Sequence, residues 1–262
     1  MMSIEHAHDG QSQSNVAVVA RVNFQITDLA SAVGEVLTLA RERTPKAVRL
    51  SNAYCVALAQ QRTEYRDVLN GPGLTLPDGS PVVWFMNAGT GRRDSSRVRG
   101  PSLFTHSLDR GRQFGVSHFF VGTTDGTLNR LVAESRARFP GIRIAGTFSP
   151  PFGAVDDKVV EETAARVKAS NADIVWVALG TPKQDFFTAA LVDAVGRPAV
   201  GVGAAFDFLA GTAREAPTWM QNWHLEWFFR FVSEPRRLWR RYLIGNVHFL
   251  WAAYLYAKRS AR

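Results

Sequence analysis

The chain has 262 residues, 46% of them hydrophobic, a formal net charge of +8 and a single cysteine, Cys55. This length suits one large domain, or one domain with an appendage, and the composition is that of an ordinary globular core. One cysteine excludes an intramolecular disulfide and a cysteine-built metal site, and it is typical of a reducing compartment.

The first fifteen residues are polar and rich in Ser, Gln and His, without a charged segment followed by an apolar one. They predict a disordered leader and no signal peptide. The HAHD segment within them contains metal-ligand residue types, but a mobile leader is the favoured interpretation.

The body that follows alternates short apolar runs with stretches of helical periodicity. The predicted strands are 16–22, 47–50, 116–121, 142–145, 174–179 and 199–202. The predicted helices are 28–43, 54–64, 128–139, 155–170 and the segment KQDFFTAALVDAVG between the last two strands. Between these elements, LNGPGLTLPDGSPVVWF carries three turn signals around short apolar runs. Alternating strands and helices joined by short loops predict a doubly wound, Rossmann-like parallel sheet with helices on both faces.

The composition changes near Pro217, where a basic and aromatic tail begins. From residue 219 to 262 there are eight Lys or Arg against two acidic residues, and five of the seven tryptophans. The sequence therefore predicts a leader (1–15), an α/β core (16–215) and a helical, membrane-binding appendage (216–262). Residues 242–257 are apolar but, at 16 residues, shorter than the roughly 20 that a spanning helix needs. Packing of these aromatics on the body, or on a second subunit, is the alternative.

Candidate site residues fall at the predicted ends of strands, where parallel sheets bind ligands. Ser51 and Asn52 end one strand, and Ser51 could instead cap the next helix. The turn 122–126 could present N–H groups to a phosphate, with Asp125 as an ordinary cap in the alternative interpretation. Gln184 and Asp207 follow two neighbouring strands, or else they cap a helix and brace a turn.

Asp78 lies in the turn LPDG, where an aspartate usually caps the backbone.

GVGAAF partly matches a dinucleotide fingerprint, but Phe206 replaces the third glycine, so an NAD-dependent oxidoreductase has little support. The sequence contains no Walker motif, HExxH, GxSxG or DxD pair.

Several segments together resemble one family. They are SNAYCVALAQ, LTLPDGSPVVW, RVRGPSLF, FFVGTTDGTLNRL, GTFSPPFG, VALGTPKQDFF, GVGAAFDFLAG and LEWFFRFVSEPRRLWRRYL. In this order they resemble the WecG/TagA/CpsF glycosyltransferases, glycosyltransferase family 26. The resemblance implies an inverting enzyme that transfers a sugar from a UDP-sugar to a lipid-linked acceptor, for surface polysaccharide or exopolysaccharide, peripherally at the cytoplasmic face of the bacterial inner membrane.

The resemblance also implies roles for individual residues. Asp78 matches the aspartate of the PDG motif and would be the general base. The implied substrate-binding residues are Ser51, Asn52, Arg97, Gly122, Lys183, Gln184, Phe206 and Asp207, with Arg236 and Arg237 from the tail. Without a DxD pair we expect no metal or other cofactor, and UDP would be stabilised by glycine turns and basic residues.

The chain departs from the family pattern at three positions. Ser102 stands where the family commonly has Asp, Glu215 stands at a basic position of KRAP, and Asp185 replaces the glutamate after TPKQ. The donor stays open between UDP-N-acetylmannosamine, its uronic acid, UDP-glucose and another hexose. The alternative function is a non-catalytic UDP-sugar-binding subunit of an assembly complex. A homo-oligomer is allowed, and no nucleic acid is expected as a partner.

Overall fold

A computed structural model describes residues 15–91, 93–153, 155–223 and 225–233. Eight strands are described: β1 (Val16–Val19), β2 (Val22–Gln25), β3 (Ala47–Ser51), β4 (Leu74–Pro77), β5 (Ser117–Gly122), β6 (Arg143–Phe148), β7 (Ile174–Ala178) and β8 (Ala199–Gly201). The helices within the same ranges are α1 (Leu29–Glu42), α2 (Ala53–Gln61), α3 (Thr63–Asn70), α4 (Ser80–Thr90), α5 (Gly100–Gly111), α6 (Asp125–Arg138), α7 (Asp157–Ser170), α8 (Lys183–Val195), α9 (Ala205–Leu209), α10 (Thr218–Asn222) and α11 (Glu226–Ser233). A 3₁₀ turn, Arg112–Phe114, follows α5.

Six strands form one sheet in the order β4-β3-β8-β7-β5-β6, and every neighbouring pair is parallel. Every residue of β3 and of β5 is buried, because helices cover both faces of the sheet. The predicted doubly wound α/β fold is confirmed. Since all six strands are parallel, their carboxyl ends meet at one edge of the sheet.

Each face of the sheet has its own apolar cluster. On one face α1, α5, α6 and α9 pack around Trp176, Phe104 and Phe120. On the other face α7 and α8 pack on Phe119, Val175 and neighbouring strand residues. A third cluster joins β1 and β2 to α2, α3 and α4. The sheet is therefore held from both sides, which fixes the positions of its strand ends.

Polar side chains cap the N-termini of several helices. Asp28 caps α1 by accepting from the Ser31 N–H at 2.8 Å, and Asp156 caps α7 by accepting from the Val159 N–H at 3.1 Å. At α6 the cap is Thr124, whose Oγ1 accepts from the Thr127 N–H at 3.3 Å. Asp125 was the expected alternative cap, but it lies one residue inside the helix.

The prediction of a single strand at 16–22 is wrong, because the chain reverses there and forms the antiparallel pair β1–β2. Ala20 and Arg21 adopt positive φ angles of 45° and 65° at the turn. Contacts from other elements hold the turn: the Asn70 Nδ2 donates to the Arg21 carbonyl at 2.9 Å, and the Gln60 side chain donates to the Ala20 carbonyl. No glycine or asparagine marks this turn in the sequence.

The described part of the tail consists of α10 and α11, and it is attached to the body. Ala216 and Met220 are buried, while Trp219, Trp223, Trp227, Phe228 and Val232 are exposed. No helix within the described ranges combines the length and the apolar character needed to cross a membrane. The segment 242–257 and the leader 1–14 lie outside the described residues.

Candidate functional site

The candidate site lies at the carboxyl edge of the sheet, where β3 and β4 end side by side. Ser51 is paired with Pro77 in the parallel register, and the Asp78 N–H donates to the Ser51 carbonyl at 3.0 Å. Gly79 is so close to Asn52 that an added Cβ would lie 3.4 Å from the Asn52 Cβ. The structure therefore brings Ser51, Asn52 and the half-buried Asp78 together.

Asn52, and not Ser51, caps the helix that follows β3. Its Oδ1 accepts from the backbone N–H groups of Tyr54 at 3.0 Å and Cys55 at 3.4 Å. The alternative that Ser51 is the cap is wrong, since Ser51 still belongs to the strand. Ser51 is fully buried, and its Oγ has no hydrogen-bond partner among the described residues. A buried hydroxyl without a partner is uncommon in a folded protein and suits a ligand contact.

Gln184 lies in the first turn of α8, with its side chain against the end of β8. A Cβ added to Gly201 would lie 3.3 Å from the Gln184 Cδ, and one added to Gly203 would lie 3.7 Å from its Oε1. The side chain is buried, and Oε1 has no hydrogen-bond partner among the described residues. The alternative that Gln184 caps α8 is wrong, because α8 begins after Pro182 without a side-chain cap. The orphaned amide oxygen is free to accept from a ligand donor.

Asp207 lies in α9, one turn after β8. Its Oδ1 accepts from the Thr212 hydroxyl at 3.2 Å, and its carbonyl accepts from the Thr212 N–H at 2.9 Å. The carboxylate thus braces the turn after α9, as the alternative interpretation expected, and it is only half-buried. Its proposed contact with the nucleotide stays a prediction.

The structure places the Phe206 ring in the core. Its ring is fully buried, 5.2 Å from the Phe104 ring and 5.5 Å from the Phe120 ring, measured between centroids. The substrate-binding role expected for Phe206 stays a prediction, and the described contacts of its ring are with core aromatic residues. Phe206 was chosen from its motif, which does not reveal which face of α9 it occupies.

Gly122 and Lys183 lie at the ends of β5 and β7. Gly122 has a φ of 124°, and an added Cβ would lie 2.4 Å from the Ala178 carbonyl oxygen of the adjacent strand. Glycine is therefore required there by the backbone itself, whatever the turn binds. The Lys183 ammonium donates to the Gly153 carbonyl in the loop after β6. Arg236 and Arg237 lie outside the described residues.

Arg97 contacts the appendage. Its Nη1 donates to the Glu226 Oε2 at 2.7 Å, and its Nη2 donates to the Gln221 carbonyl at 3.3 Å. Arg99, which sequence reasoning did not select, is bound to the same glutamate and to the Gln221 side-chain oxygen at 2.6 Å. The sequence signal for Arg99 was the second arginine of RVRG, but only the first arginine, Arg97, matched the family motif.

Two of the departures from the family pattern meet at Arg99. Its Nη1 donates to the Ser102 hydroxyl at 3.2 Å, and its Nη2 is paired with Glu215. A carboxylate is thus absent at position 102 and present at position 215, and both side chains contact one guanidinium. The carboxylate that pairs with Arg99 here is therefore that of Glu215.

A buried polar group lies beneath Gln184 and was also missed. The Tyr65 hydroxyl donates to the Asp185 Oδ2 at 2.7 Å, and the Arg49 Nη2 donates to the Pro72 carbonyl at 3.0 Å. Burial raises the pKa of Tyr65 and lowers that of Arg49, while the Asp185 charge opposes the change at Arg49. The Tyr65 contact ties α3 to the first turn of α8, next to Gln184, and the Arg49 contact ties β3 to the loop before β4.

The arrangement offers one carboxylate at an open edge, two buried oxygen atoms without partners, and an arginine pair close by. No cluster of three or more His, Cys, Asp or Glu side chains occurs among the described residues. A carboxylate beside groups that can bind a polar ligand suits proton abstraction from a hydroxyl. The residues that could hold such a ligand come from β3, β5, α8, α9 and the loops that follow β3, β4 and α4.

The sequence matches one family of known proteins. Residues 17–262 match the model of the glycosyl transferase WecG/TagA/CpsF family. A protein of Bacillus spizizenii (strain ATCC 23059 / NRRL B-14472 / W23) is 33% identical over 227 residues, which cover 86% of each chain. Its name is N-acetylglucosaminyldiphosphoundecaprenol N-acetyl-beta-D-mannosaminyltransferase. A protein of the same name from Bacillus subtilis (strain 168) is 33% identical over 181 residues, covering 69% of this chain and 68% of its own.

The family match covers nearly all of the α/β body and the tail, and it includes every described residue of the candidate site. The relatives match over most of their own length, so the resemblance concerns whole proteins and not a shared fragment. The chain therefore belongs to the WecG/TagA/CpsF family and is a glycosyltransferase.

Proposed function

We propose that the protein transfers an N-acetylmannosamine-type sugar from its UDP derivative, with inversion, to a lipid-diphosphate-linked acceptor in surface polysaccharide synthesis. The observation that carries this proposal is the pair of buried, unpartnered oxygen atoms, Ser51 Oγ and Gln184 Oε1, at the strand ends beside Asp78. Leaving such atoms unsatisfied costs about 1–3 kcal/mol each, and a bound polar ligand removes that cost. The names of the two relatives supply the sugar and the acceptor class.

In this mechanism Asp78 acts as the general base. An acceptor hydroxyl attacks the anomeric carbon of the donor, and Asp78 takes the hydroxyl proton as the new C–O bond forms. The bond between the anomeric carbon and the diphosphate oxygen breaks on the opposite side, and UDP leaves with its electron pair. One attack from the opposite side gives inversion, and one carboxylate is sufficient.

The departing diphosphate needs positive charge or N–H donors. We assign that role to Arg97 and Lys183, to N–H groups of the turn at Gly122, and to Arg236 and Arg237 of the tail. Gln184 and Asp207 would hold the uridine, and Ser51 and Asn52 would hold the sugar. The Asn52 Oδ1 already caps α2, so its amide nitrogen is the group we assign to the ligand. Catalysis without a metal remains part of the proposal.

A donor screen with matched variants tests the proposal. The full chain is incubated with a polyprenyl-diphosphate-N-acetylglucosamine acceptor and, separately, UDP-N-acetylmannosamine, its uronic acid and UDP-glucose, and UDP release is measured. We expect release to be fastest with UDP-N-acetylmannosamine. Asp78→Asn should reduce turnover by about 100-fold or more, the usual contribution of a positioned base, while UDP affinity measured by calorimetry stays near that of the unaltered protein.

The matched control is Asp109→Asn, which removes an exposed carboxylate at the end of α5. It should leave turnover unchanged. Near-normal turnover in Asp78→Asn would reject Asp78 as the base. UDP binding without transfer from any donor would favour the alternative, a non-catalytic UDP-sugar-binding subunit.

We also place the protein on the cytoplasmic face of the bacterial inner membrane as a peripheral enzyme. The support is the lipid-linked acceptor in the names of the relatives and the exposed tryptophans of the appendage. Basic, tryptophan-rich helices bind the interface of anionic bilayers.

A further inference from the structure

Arg97 and Arg99 together form one anion site, although the family motif selected only Arg97. We propose that this site binds a diphosphate group, and that the Glu226 carboxylate occupies it when no diphosphate is bound. Substrate and appendage then compete for the same two guanidinium groups. This inference rests on the proposed function, because the diphosphate is that of the UDP-sugar or of the lipid-linked acceptor.

Glu226 contacts both arginines through both of its oxygens. Its Oε2 accepts from the Arg97 Nη1 at 2.7 Å and from the Arg99 Nε at 3.1 Å, and its Oε1 accepts from the Arg99 Nη2. The side chains of Arg97, Arg99 and Glu226 are 18%, 13% and 19% exposed. Two oxygens bridging two guanidinium forks is the geometry in which arginines also bind phosphoryl oxygens.

The arginine pair lies beside the proposed base. Val98, between the two arginines, donates its N–H to the Pro77 carbonyl at 2.8 Å, and Pro77 directly precedes Asp78. Gly100, which follows them, is so close to the end of β8 that an added Cβ would lie 2.9 Å from the Val202 carbonyl oxygen. An anion on this pair would thus lie between the strand ends that carry Asp78 and the proposed nucleotide residues.

Charge explains why Glu226 and a diphosphate exclude each other. In the described state Glu226 and Glu215 balance Arg97 and Arg99, so no positive charge is left over for an incoming anion. Burial is the largest single effect on the pKa of Arg99 and lowers it, but the charges and hydrogen bonds of Glu226 and Glu215 together outweigh burial, so the pKa of Arg99 is raised. A diphosphate that entered with Glu226 still bound would meet a like charge. Withdrawal of Glu226 leaves one net positive charge, because Glu215 stays paired with the Arg99 Nη2, and it opens the Arg97 Nη1 and the Arg99 Nε to the diphosphate oxygens.

The contacts of α11 allow Glu226 to withdraw. None of the α11 side chains that the structure describes is fully buried, and Trp227, Phe228 and Val232 are exposed. The ion pairs of Glu226 with Arg97 and Arg99 join α11 to the body. Replacing them by a diphosphate releases the helix without opening the apolar core.

Calorimetry with inorganic pyrophosphate on the full chain tests the inference, with Glu226→Gln as the main variant. Glutamine keeps the size of the side chain and one acceptor oxygen but removes the competing charge. We expect pyrophosphate to bind Glu226→Gln about tenfold more tightly than the unaltered protein, since charge-assisted contacts with the arginines are then open to it. Adding Arg99→Lys to this variant should abolish the gain, because lysine lacks the planar fork.

The matched control is Glu162→Gln, which removes a carboxylate that pairs with Arg166 on the exposed face of α7. It should bind pyrophosphate as the unaltered protein does. If Glu226 only positions the arginines, Glu226→Gln will bind pyrophosphate equally or more weakly, and the inference is overturned. Pyrophosphate binding requires no sugar donor, so this result is independent of whether the transferase assay succeeds.

Discussion

His118 shows at the scale of one residue how the core treats a titratable group. It lies on β5, and its Nδ1 accepts from the Trp176 Nε1–H of β7 at 3.1 Å. Burial lowers the pKa of His118 to about 3 from an ordinary value of 6.5, and the nearby Asp173 charge opposes that change only in part. The imidazole is therefore neutral in the folded protein at every pH at which the enzyme would work, and it has a structural role.

The free energy of unfolding should consequently fall as the pH is lowered below about 6.5. Unfolding releases His118 to its ordinary pKa, so the unfolded state binds one more proton between about pH 6.5 and pH 3. Stability due to this group is fully present above the unfolded pKa, and it is lost at up to about 1.4 kcal/mol per pH unit below it. Urea unfolding at about pH 7, 6 and 5 measures the slope.

His118→Gln keeps an acceptor for Trp176 but cannot bind the proton. The slope of its free energy of unfolding against pH should therefore correspond to nearly one proton fewer than in the unaltered protein. His106→Gln, at an exposed position on α5, is the control and should leave the slope unchanged. Equal slopes in His118→Gln and the unaltered protein would contradict the structural account.

At the scale of an element, the β5–α6 connection depends on Gly122. The turn adopts a left-handed backbone at Gly122 and Thr123, with φ angles of 124° and 53°. The neighbouring strand β7 leaves no room for a side chain, because its Ala178 carbonyl oxygen would be 2.4 Å from an added Cβ. A strand carbonyl cannot move aside without breaking the sheet.

Gly122→Ala should therefore lower the free energy of unfolding by about 2 kcal/mol or more, through strain at positive φ and the backbone clash. Gly34→Ala is the matched control, since nothing lies within 4 Å of an added Cβ in the middle of α1. It should raise stability by about 0.5–1 kcal/mol through helix propensity. Urea denaturation of both variants measures these changes in the free energy of unfolding. If Gly122→Ala left that free energy unchanged, β5 and β7 would have to separate enough to accommodate the added side chain.

At the scale of the whole molecule, the body and the appendage differ in what they bury. The body encloses three apolar clusters, whereas α10 and α11 leave three tryptophans, Phe228 and Val232 exposed. The body is joined to the appendage through the arginine pair and Glu226. An exposed aromatic face on a basic segment suits a lipid surface.

Replacing Trp223 and Trp227 together by serine should weaken binding of the full chain to phosphatidylglycerol vesicles by about tenfold or more, because interfacial aromatics supply much of the apolar area. Co-sedimentation over a range of lipid concentrations measures the change. Trp84→Ser is the matched control, since Trp84 is 62% exposed but lies on α4 of the body. If Trp84→Ser weakened binding as much as the double variant, the appendage would not be the lipid-binding surface.

Much of the fold could be predicted from local patterns. Apolar runs of four to six residues, each followed by a glycine or polar turn, alternated with periodic helices and indicated a parallel sheet with covered faces, and β5, β7 and β8 lie where those runs are. The same patterns put Ser51 and Gln184 at strand ends, because a strand stops where polar or turn residues begin, and they put Asp78 in a turn. The motif order then indicated the family.

The sequence by itself therefore determined the fold class, the family and the edge of the sheet at which the site lies, because these depend on periodicity and on residues close together in the chain. Only the tertiary structure decided that Tyr65 binds Asp185, 120 positions away, and that Arg99 binds Glu226, 127 positions away. The β1–β2 turn and the burial of Phe206 were decided in the same way. Such contacts depend on which strands become neighbours and which helix face meets the sheet, and the packing of the whole chain selects both.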